Sequence, residues 1–443
     1  MALSTQPYKG ARDFYPEDKR IQKYMFDVLR KTVEKFGYEE YDAPILEPID
    51  LYLAKTGEEI VNEQTYTFED RGGRKVAIRP EMTPTVSRMV AGRRQELAYP
   101  LRWYSIPNLW RYERPQRGRL REHWQLNVDL FGLSGFQAEH EIIMVVDNIL
   151  QAFHAKRNMY TIKLNSRRFS DYVLSEYMGF DSVQTYSVSK LIDRMHKMDR
   201  AEFIAQLDAL CTPSQREEGA VEKLLAVLTA DRLTALPVDL QSHESLKQIL
   251  ALLGILHASG ITNAVFDATL MRGFDYYTDV IFEVFDTHPE NNRSMFGGGR
   301  YDGLVGLFGV EPVPTIGFGV GDVTLQNFLE IHELLPALRT ETNVYVILVG
   351  EVFAAAQQTI AKLREAGLNV AVDTTGRKIG AQIQTAEKKG IHYALFIGER
   401  ELVEEQFTLK NLHTGVEEKH GISRLVTIIK DYRHEEDDDD LDI

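Results

Sequence analysis

The hydrophobic pattern changes near residue 340, and this change limits the folds that are open to the chain. Beyond it, short apolar runs such as NVYVILVG and YALFIGE alternate with amphipathic helical stretches. Strands that alternate with helices in this way build a parallel or mixed sheet of their own. The sequence therefore predicts a linker over residues 331–342 and a separate α/β domain over residues 343–432.

The region before the linker has a different pattern. An amphipathic helix is expected over residues 17–36, where Gly37 ends it, and a strand follows in YEEYDAPILEP. The segment TYTFEDRGGRKVAIRPE predicts a hairpin with Gly72 and Gly73 in its turn. Residues 1–330 are therefore predicted to form one α+β domain, an antiparallel sheet with helices.

Helical patterns interrupt this domain at about residues 166–260. The segments DYVLSEYMGF, VSKLIDRMHKM, AEFIAQLDAL, AVEKLLAVLTA and SLKQILALLGILHAS read as short helices. Strand character returns in ITNAVFDATLMRGFDYYTDVIFEVFD and again in PTIGFGVG. We therefore expect a helical insertion inside the α+β domain.

One stretch concentrates positive charge on an acidic chain. The chain has 51 Lys and Arg against 66 Asp and Glu, yet RYERPQRGRLREHWQLNVDLFG carries five arginines within eleven residues. These are Arg111, Arg114, Arg117, Arg119 and Arg121. Strand patterns flank them, and Pro115 and Gly118 favour a loop. Because guanidinium groups bind phosphate oxygens bidentately, the loop suits a nucleotide or nucleic-acid phosphate, although a surface loop with scattered charges is the alternative.

Three further motifs each allow a structural and a functional interpretation. In RPEMTPT, Glu81 and Thr83 could bind an amino group or could simply begin a helix. In LMRGFDYYTDVIFEVF, Arg272 and two tyrosines could line a pocket at a strand end or belong to an ordinary strand. In MFGGGRYDGLVGLFG, the glycines before Arg300 allow a close backbone approach or a turn. The last motif matches neither a Walker loop nor a dinucleotide fingerprint.

Together these motifs resemble a known family. With GYEEYDAPILEP and TIGFGVG, they occur in the order and spacing of histidyl-tRNA synthetases, which are class II aminoacyl-tRNA synthetases. The stretch GRKIGAQIQTAEKKGIHYALFIGE resembles their anticodon-binding domain, and RGFDYY is the most family-specific element. The resemblance implies a class II α+β catalytic domain with a helical insertion, followed by an α/β anticodon-binding domain.

The resemblance also implies an activity. Such an enzyme activates L-histidine with ATP to histidyl-adenylate and transfers it to the 3′ end of histidine tRNA. Mg²⁺ is expected to bind through the nucleotide, with no zinc and no metal site of the protein's own. A cytoplasmic homodimer is expected, with Pro44 in the motif that forms the dimer.

The resemblance assigns roles to individual residues. Arg111 and Arg272 would bind the α-phosphate of ATP as catalytic residues, and Arg119 the outer phosphates. Arg114 and Gln116 would meet the acceptor end of the tRNA. The residues implied for histidine binding are Glu81, Met82, Thr83, Gln125, Asp129, Tyr276, Tyr277 and Tyr301.

Two positions depart from the family pattern. Asp129 stands where a glutamate usually lies near the imidazole, and Thr324 stands where the third motif usually has an arginine on adenine and the last phosphate. The missing arginine favours an alternative, a non-catalytic paralogue that acts as a regulatory subunit of histidine biosynthesis or as a sensor of uncharged tRNA. The RGFDYY stretch and the anticodon-binding region favour the enzyme.

Other features limit the setting of the protein. A single cysteine, Cys211, excludes an intramolecular disulfide and a cysteine-based zinc site. The sequence contains no apolar run of signal-peptide or membrane-spanning length. The final HEEDDDDLDI carries seven acids, so residues 433–443 are predicted to be a disordered, solvating tail, with competition against nucleic acid for basic surface as the alternative.

Overall fold

The computed structural model describes residues 3–53, 64–116, 118–230, 232–271, 276–291 and 293–439. The chain divides into two compact units. The first consists of residues 1–13 and 22–335, and the second of residues 14–21 and 336–443. Within the described residues, no helix is both long and apolar enough to cross a membrane.

Short elements make up the beginning of the chain. The helices are α1 (Pro16–Glu34), α2 (Asp50–Leu53), α3 (Thr83–Gly92) and α4 (Gln137–Ala152). The strands are β1 (Glu39–Glu40), β2 (Leu46–Pro48), β3 (Thr67–Glu69), β4 (Lys75–Ile78), β5 (Leu101–Ser105), β6 (Asn108–Trp110) and β7 (Glu122–Phe131). β3 and β4 form the predicted hairpin, and Gly73 in its turn has a φ of +74°, which glycine adopts without strain.

The predicted helical insertion is confirmed. It follows β8 (Tyr160–Ser166) and precedes β9 (Ala264–Phe266). Its helices are α5 (Arg167–Tyr172), α6 (Ser182–Asp193), α7 (Arg200–Leu210), α8 (Pro213–Glu217), α9 (Ala220–Leu228), α10 (Val238–Gln241) and α11 (Glu244–Ala258). Side-chain caps begin several of them: Asp181 and Thr212 each form a reciprocal capping box with a glutamine three residues later.

A large sheet forms the centre of the first unit. It is completed by β10 (Val280–Asp286), β11 (Ser294–Arg300) and β12 (Thr315–Gly321), and α12 (Asp322–Ile331) follows. The strand order is β1-β5-β7-β12-β11-β10-β8-β9, with β6 also paired to β7. The six inner strands β5, β7, β12, β11, β10 and β8 pair antiparallel, as predicted, whereas β1 and β9 join the two edges in parallel. β2, β4 and β3 form a separate small sheet.

The second unit has its own mixed sheet, as the alternation of strands and helices predicted. Its strands are β13 (Val344–Val349), β14 (Val370–Asp373), β15 (Tyr393–Gly398), β16 (Phe407–Asn411) and β17 (Glu417–His420), in the order β14-β13-β15-β16-β17. Its helices are α13 (Phe353–Glu365), α14 (Ile379–Lys388), α15 (Glu399–Glu404) and α16 (Ile422–Asp439). The buried aliphatic side chains Val346, Ile360, Leu395 and Leu425 share one core.

Three predicted strands are wrong in their extent. YEEYDAPILEP forms two short strands in different sheets, because β1 pairs with β5 and β2 pairs with β4. LRWYSIPNLWRYE is broken at Pro107, which has no N–H to donate, and both of its pieces pair with the ten-residue β7. The strand expected up to Arg272 ends at Phe266, because the carboxylate of Asp267 accepts from the backbone N and the hydroxyl of Thr269 and forms a turn.

The acidic end also differs from the prediction. α16 continues to Asp439, so its backbone is helical through most of the segment that composition predicted to be disordered. Extending a helix that has already formed fixes only one further residue per hydrogen bond, which costs less than starting one. Residues 440–443 lie outside the described part of the chain.

Candidate active site

A cavity of about 1220 Å³ opens in the first unit above the central sheet. Its floor is made by strands rather than by loops. Antiparallel pairing places Gly317 opposite Asp129, Gly319 opposite Asn127 and Gly321 opposite Gln125. Paired residues in adjacent strands point to the same face of a sheet. The polar side chains of β7 therefore lie beside a row of glycines on β12.

The glycines continue across the next strand. Gly297 pairs with Gly319, and Gly299 pairs with Gly317, so the triplet on β11 belongs to the sheet and not to a turn. A Cβ at Gly319 would lie 2.8 Å from the Gln125 amide, and one at Gly299 would lie 2.9 Å from the Tyr277 ring. The missing side chains therefore leave room for Gln125 and Tyr277, both of which line the cavity. We call this surface the glycine floor.

Two arginines of the loop between β6 and β7 line one wall. The Nε of Arg111 donates to the carbonyl of Pro80 at 2.9 Å, which orients its guanidinium group. Glu113 lies between the two, 4.0 Å from an Nη of Arg111 and 3.5 Å from an Nη of Arg119. The guanidinium of Arg111 is largely covered, whereas that of Arg119 is half exposed. The loop therefore presents two cations to the cavity around one carboxylate.

The other arginines of the loop differ in role. Arg121 is buried, lies 3.8 Å over the Tyr112 ring and donates to the Tyr8 hydroxyl at 3.0 Å, so it holds the loop in place. Arg114 and Gln116 are exposed and do not line the cavity. Arg117 lies outside the described residues.

Glu81 lines the cavity near the tyrosines. Its carboxylate is 3% exposed and accepts a hydrogen bond of 3.1 Å from the Tyr276 hydroxyl. Burial raises the pKa of that hydroxyl well above its ordinary value, so Tyr276 remains a neutral donor. Thr83, at the start of α3, lines the same part of the cavity. A buried carboxylate beside hydroxyl groups suits a ligand ammonium group.

Met82 does not belong to this wall. Its side chain is fully buried, and its sulfur lies 4.0 Å from an Nη of Arg79. Met82 precedes α3, whose buried face includes Val86 and Val90, and its side chain is buried with that face. Its side chain therefore belongs to the core, and the predicted role of Met82 in histidine binding stays a prediction.

Asp129 and Tyr301 lie on the same face of the sheet as Gln125, beside the glycine floor, but they do not line the cavity. The Tyr301 hydroxyl donates to one carboxylate oxygen of Asp129, and the Tyr41 hydroxyl donates to the other at 3.5 Å. A Cβ at Gly317 would lie 2.6 Å from Asp129 Oδ1, so the missing side chain of Gly317 leaves room for this carboxylate. Burial raises the pKa of Asp129 to about 7, although both tyrosine hydroxyls oppose the rise.

The sequence singled out Arg272 and Thr324 for the nucleotide end, and the structure describes only Thr324. Arg272 lies outside the described residues. Thr324 is in the first turn of α12, where its hydroxyl donates to the carbonyl of Gly321 at 3.1 Å. It lines the cavity, and its methyl group lies 3.5 Å from the position of a Cβ on Gly118 in the arginine loop.

Several residues that line the cavity were not identified from the sequence. The wall includes His123 and Asn127 on β7, Glu283 on β10, and a set from the helical insertion. That set is Tyr186, Lys190, Asp193, Arg194 and Lys197. The alternation of Gly and apolar residues in TIGFGVG could have indicated a strand with one bare face. No local signal in the insertion indicates that it reaches the cavity.

Comparisons with known proteins agree with this architecture. The family model described as histidyl-tRNA synthetase matches residues 10–323, and the model described as anticodon binding domain matches residues 343–432. A histidine–tRNA ligase of Leptospira biflexa is 45% identical over 431 residues, covering 97% of this chain and 98% of that protein. The ligase of Thermoplasma volcanium is 36% identical over 429 residues, covering 97% and 99%.

A solved structure shares the fold. The histidyl-tRNA synthetase from Nostoc sp. PCC 7120 superimposes with a TM-score of 0.80 at 23% sequence identity, covering 97% of this chain and all of that one. The predicted class II catalytic fold with an anticodon-binding domain is therefore confirmed. Because one family model spans most of the chain and the curated relatives match almost end to end, the chain belongs to the histidyl-tRNA synthetase family.

Proposed function

We propose that the chain is an active ATP-dependent histidine–tRNA ligase of the cytoplasm. In the first step the carboxylate of histidine attacks the α-phosphorus of ATP, which forms histidyl-adenylate and releases pyrophosphate. In the second step a ribose hydroxyl at the 3′ end of the tRNA attacks the adenylate, and AMP leaves. The observation that carries the proposal is the single cavity that joins a buried carboxylate and tyrosines at Glu81 to two arginines at Arg111 and Arg119.

The histidine end of the cavity is assigned first. Glu81 and Thr83 bind the α-amino group, and Gln125 holds the substrate from the glycine floor. The rings of Tyr276 and Tyr277 cover the imidazole, and their centroids lie 5.1 Å apart. Asp129, held by Tyr301, accepts an N–H of the imidazole beside the bare face of Gly317, directly or through a water.

The nucleotide end is assigned to the arginines. Arg111 binds the α-phosphate, where negative charge develops as the carboxylate attacks, and Arg119 binds the outer phosphates. We also assign Arg272 to the α-phosphate, as the family resemblance implies. Mg²⁺ that arrives with ATP neutralises phosphate charge when it is bound. Protein side chains need to transfer few protons in this reaction, because positioning and charge stabilisation are sufficient for attack of the carboxylate on the α-phosphorus.

The tRNA is assigned to two surfaces. Arg114 and Gln116 are exposed on the same loop as Arg111 and Arg119, which line the cavity, and this position suits contact with the acceptor end. The region 343–432 is assigned to the anticodon. We also propose the division into a catalytic domain over residues 1–330, a linker over residues 331–342 and this anticodon-binding domain.

The dimer is supported by an apolar surface near Pro44. Ile45, Leu46 and Leu53 are each about half exposed, although they are large and hydrophobic. A second, smaller cavity of about 300 Å³ lies close by and is lined partly by Leu51 and Phe308. Exposed apolar patches of this kind are typical of protein interfaces.

The alternative is a non-catalytic paralogue, and Thr324 at the place of the third-motif arginine is the observation that favours it. Glu81, Arg111 and the tyrosines around the cavity favour the enzyme instead. The decisive experiment is histidine-dependent exchange of labelled pyrophosphate into ATP by the purified chain. We expect exchange that requires histidine, and a folded protein that binds histidine but supports no exchange would favour the paralogue.

The ionisation of Asp129 should be visible in the pH profile. Its pKa is raised to about 7, so it is protonated below that pH and becomes an acceptor above it. We expect kcat/KM for histidine in pyrophosphate exchange to rise between pH 6 and 8, on top of the titration of free histidine. Asp129→Asn should lower kcat/KM and leave only the titration of the substrate. A variant profile with the same limb near pH 7 as the parent would contradict the assignment.

Deleting residues 343–443 should separate the two steps. The residues assigned to adenylation all precede the linker, so we expect histidine-dependent exchange to remain within a few-fold of the parent. Transfer to tRNA should fall sharply, because contacts between basic side chains and phosphates are lost. Circular dichroism and thermal melting would first establish that the shortened chain is folded. A folded truncation that charges tRNA at the full rate would remove the anticodon role.

A further inference from the structure

The helical insertion contributes a row of basic side chains to the catalytic cavity. Lys190 is in α6, Arg194 follows its last residue, and Lys197 ends the short 3₁₀ turn Met195–Lys197. The three residues therefore belong to the end of α6 and the turn that follows it. All three residues are exposed and line the same cavity as Arg119 and Thr324. We call Lys190, Arg194 and Lys197 the insertion row.

The charge of the cavity depends on this row. Among the described cavity residues outside the insertion, the cations are Arg111 and Arg119, and the carboxylates are Glu81, Glu113 and Glu283. The carboxylates therefore outnumber the cations among these described residues. The insertion adds three cations and one carboxylate, Asp193, which reverses the sign of the balance. Since a cleft's own lining sets its local field, the insertion makes the described lining suitable for an anion.

At the nucleotide end, Thr324 stands where the family pattern has an arginine. Thr324 carries no charge, and its methyl group packs towards Gly118, so the arginine loop covers this first turn of α12. Arg119 follows Gly118 directly and shares Glu113 with Arg111, which offsets part of its charge. A triphosphate carries about four negative charges at neutral pH, and the described arginines of the loop, compensated by Glu113, can balance only part of them.

We propose that the insertion row binds the outer phosphates of ATP and supplies the charge that Thr324 does not. This inference rests on the proposed function, and it deepens that function by naming the residues for one part of one substrate. Tyr186, one turn before Lys190 and 61% exposed, has the Lys190 ammonium 5.5 Å from its ring centroid, which holds the first member of the row near the cavity wall. The three cations act as positioning groups for pyrophosphate, the leaving group of the first step.

The test compares two nucleotides that differ only in their outer phosphates. The double variant Lys190→Glu/Arg194→Glu should weaken ATP binding by about tenfold or more, because two attractive charges become repulsive. Its affinity for AMP should stay within about twofold of the parent, because AMP lacks the groups that the row contacts. Arg200→Glu/Lys223→Glu is the matched control, since both residues are exposed cations of the same insertion outside the cavity wall.

The outcomes separate this inference from the proposed function. Equal losses for ATP and AMP would indicate a structural effect and would overturn the inference. Unchanged ATP binding with reduced tRNA charging would assign the row to tRNA, which also overturns it. A parent chain without pyrophosphate exchange would refute the proposed ligase. The comparison of ATP with AMP would still test the inference, because nucleotide binding does not require turnover. Salt should weaken ATP binding more in the parent than in the double variant.

Discussion

Arg111→Ala is expected to lower the rate of histidine-dependent pyrophosphate exchange by about a hundredfold or more, with little change in the fold. The guanidinium is held by the carbonyl of Pro80, so it is already oriented before ATP arrives. A preorganised donor is most effective where charge develops during the reaction. The loss should therefore appear mainly in kcat, measured at saturating ATP and histidine.

Two further variants make this result specific. Arg111→Lys keeps the charge but loses the planar fork, so it should recover only a small part of the rate. Arg93→Ala removes an exposed arginine that pairs with Glu96 on the surface, and its rate should match the parent. An Arg111→Ala protein with normal kcat would exclude Arg111 from the α-phosphate.

Gly319→Val is expected to abolish measurable exchange at ordinary histidine concentrations. A Cβ at this position would lie 2.8 Å from the Gln125 amide, so the valine must displace Gln125 and also fill part of the cavity. The contacts it meets belong to a side chain and not to the backbone, which allows the sheet to stay intact. The expected signature is a histidine KM raised by about a hundredfold or more, since blocked substrate contacts cost several kcal/mol.

The matched control is Gly303→Val. A Cβ at Gly303 would meet no other atom within 4 Å, and its φ is not in the left-handed region. This variant should retain the parent's KM and its thermal midpoint. If Gly319→Val bound histidine normally, the substrate could not lie on the glycine floor.

Local patterns predicted much of the fold. The hairpin at Gly73, the helices of the insertion and the strand–helix alternation after residue 342 depend on neighbouring residues, and periodicity detects such order. The extents of β1 and β2 depend instead on which distant strand each one meets. YEEYDAPILEP has one apolar pattern but two pairing partners, so its division was not visible in the sequence.

The candidate site was only partly predictable. Glu81, Arg111 and Gln125, which the family motifs indicated, line one cavity, although each is distant in sequence from the tyrosines of the same cavity. The family motifs did not reveal that the carboxylate of Asp129 fills the space left by the missing side chain of Gly317, because that depends on the register between β7 and β12. They also missed the insertion row, since its place in the cavity wall follows from how α6 packs in three dimensions and not from the composition of α6 itself.

The glycine floor has an evolutionary consequence. Every missense change of a glycine codon adds at least a Cβ, so any substitution of Gly319 alone would bring a side chain too close to Gln125. A lineage could change this position only if residue 125 became smaller first. Substrate specificity in this pocket should therefore evolve by ordered pairs of mutations across β7 and β12, and single steps on β12 should be purged by selection.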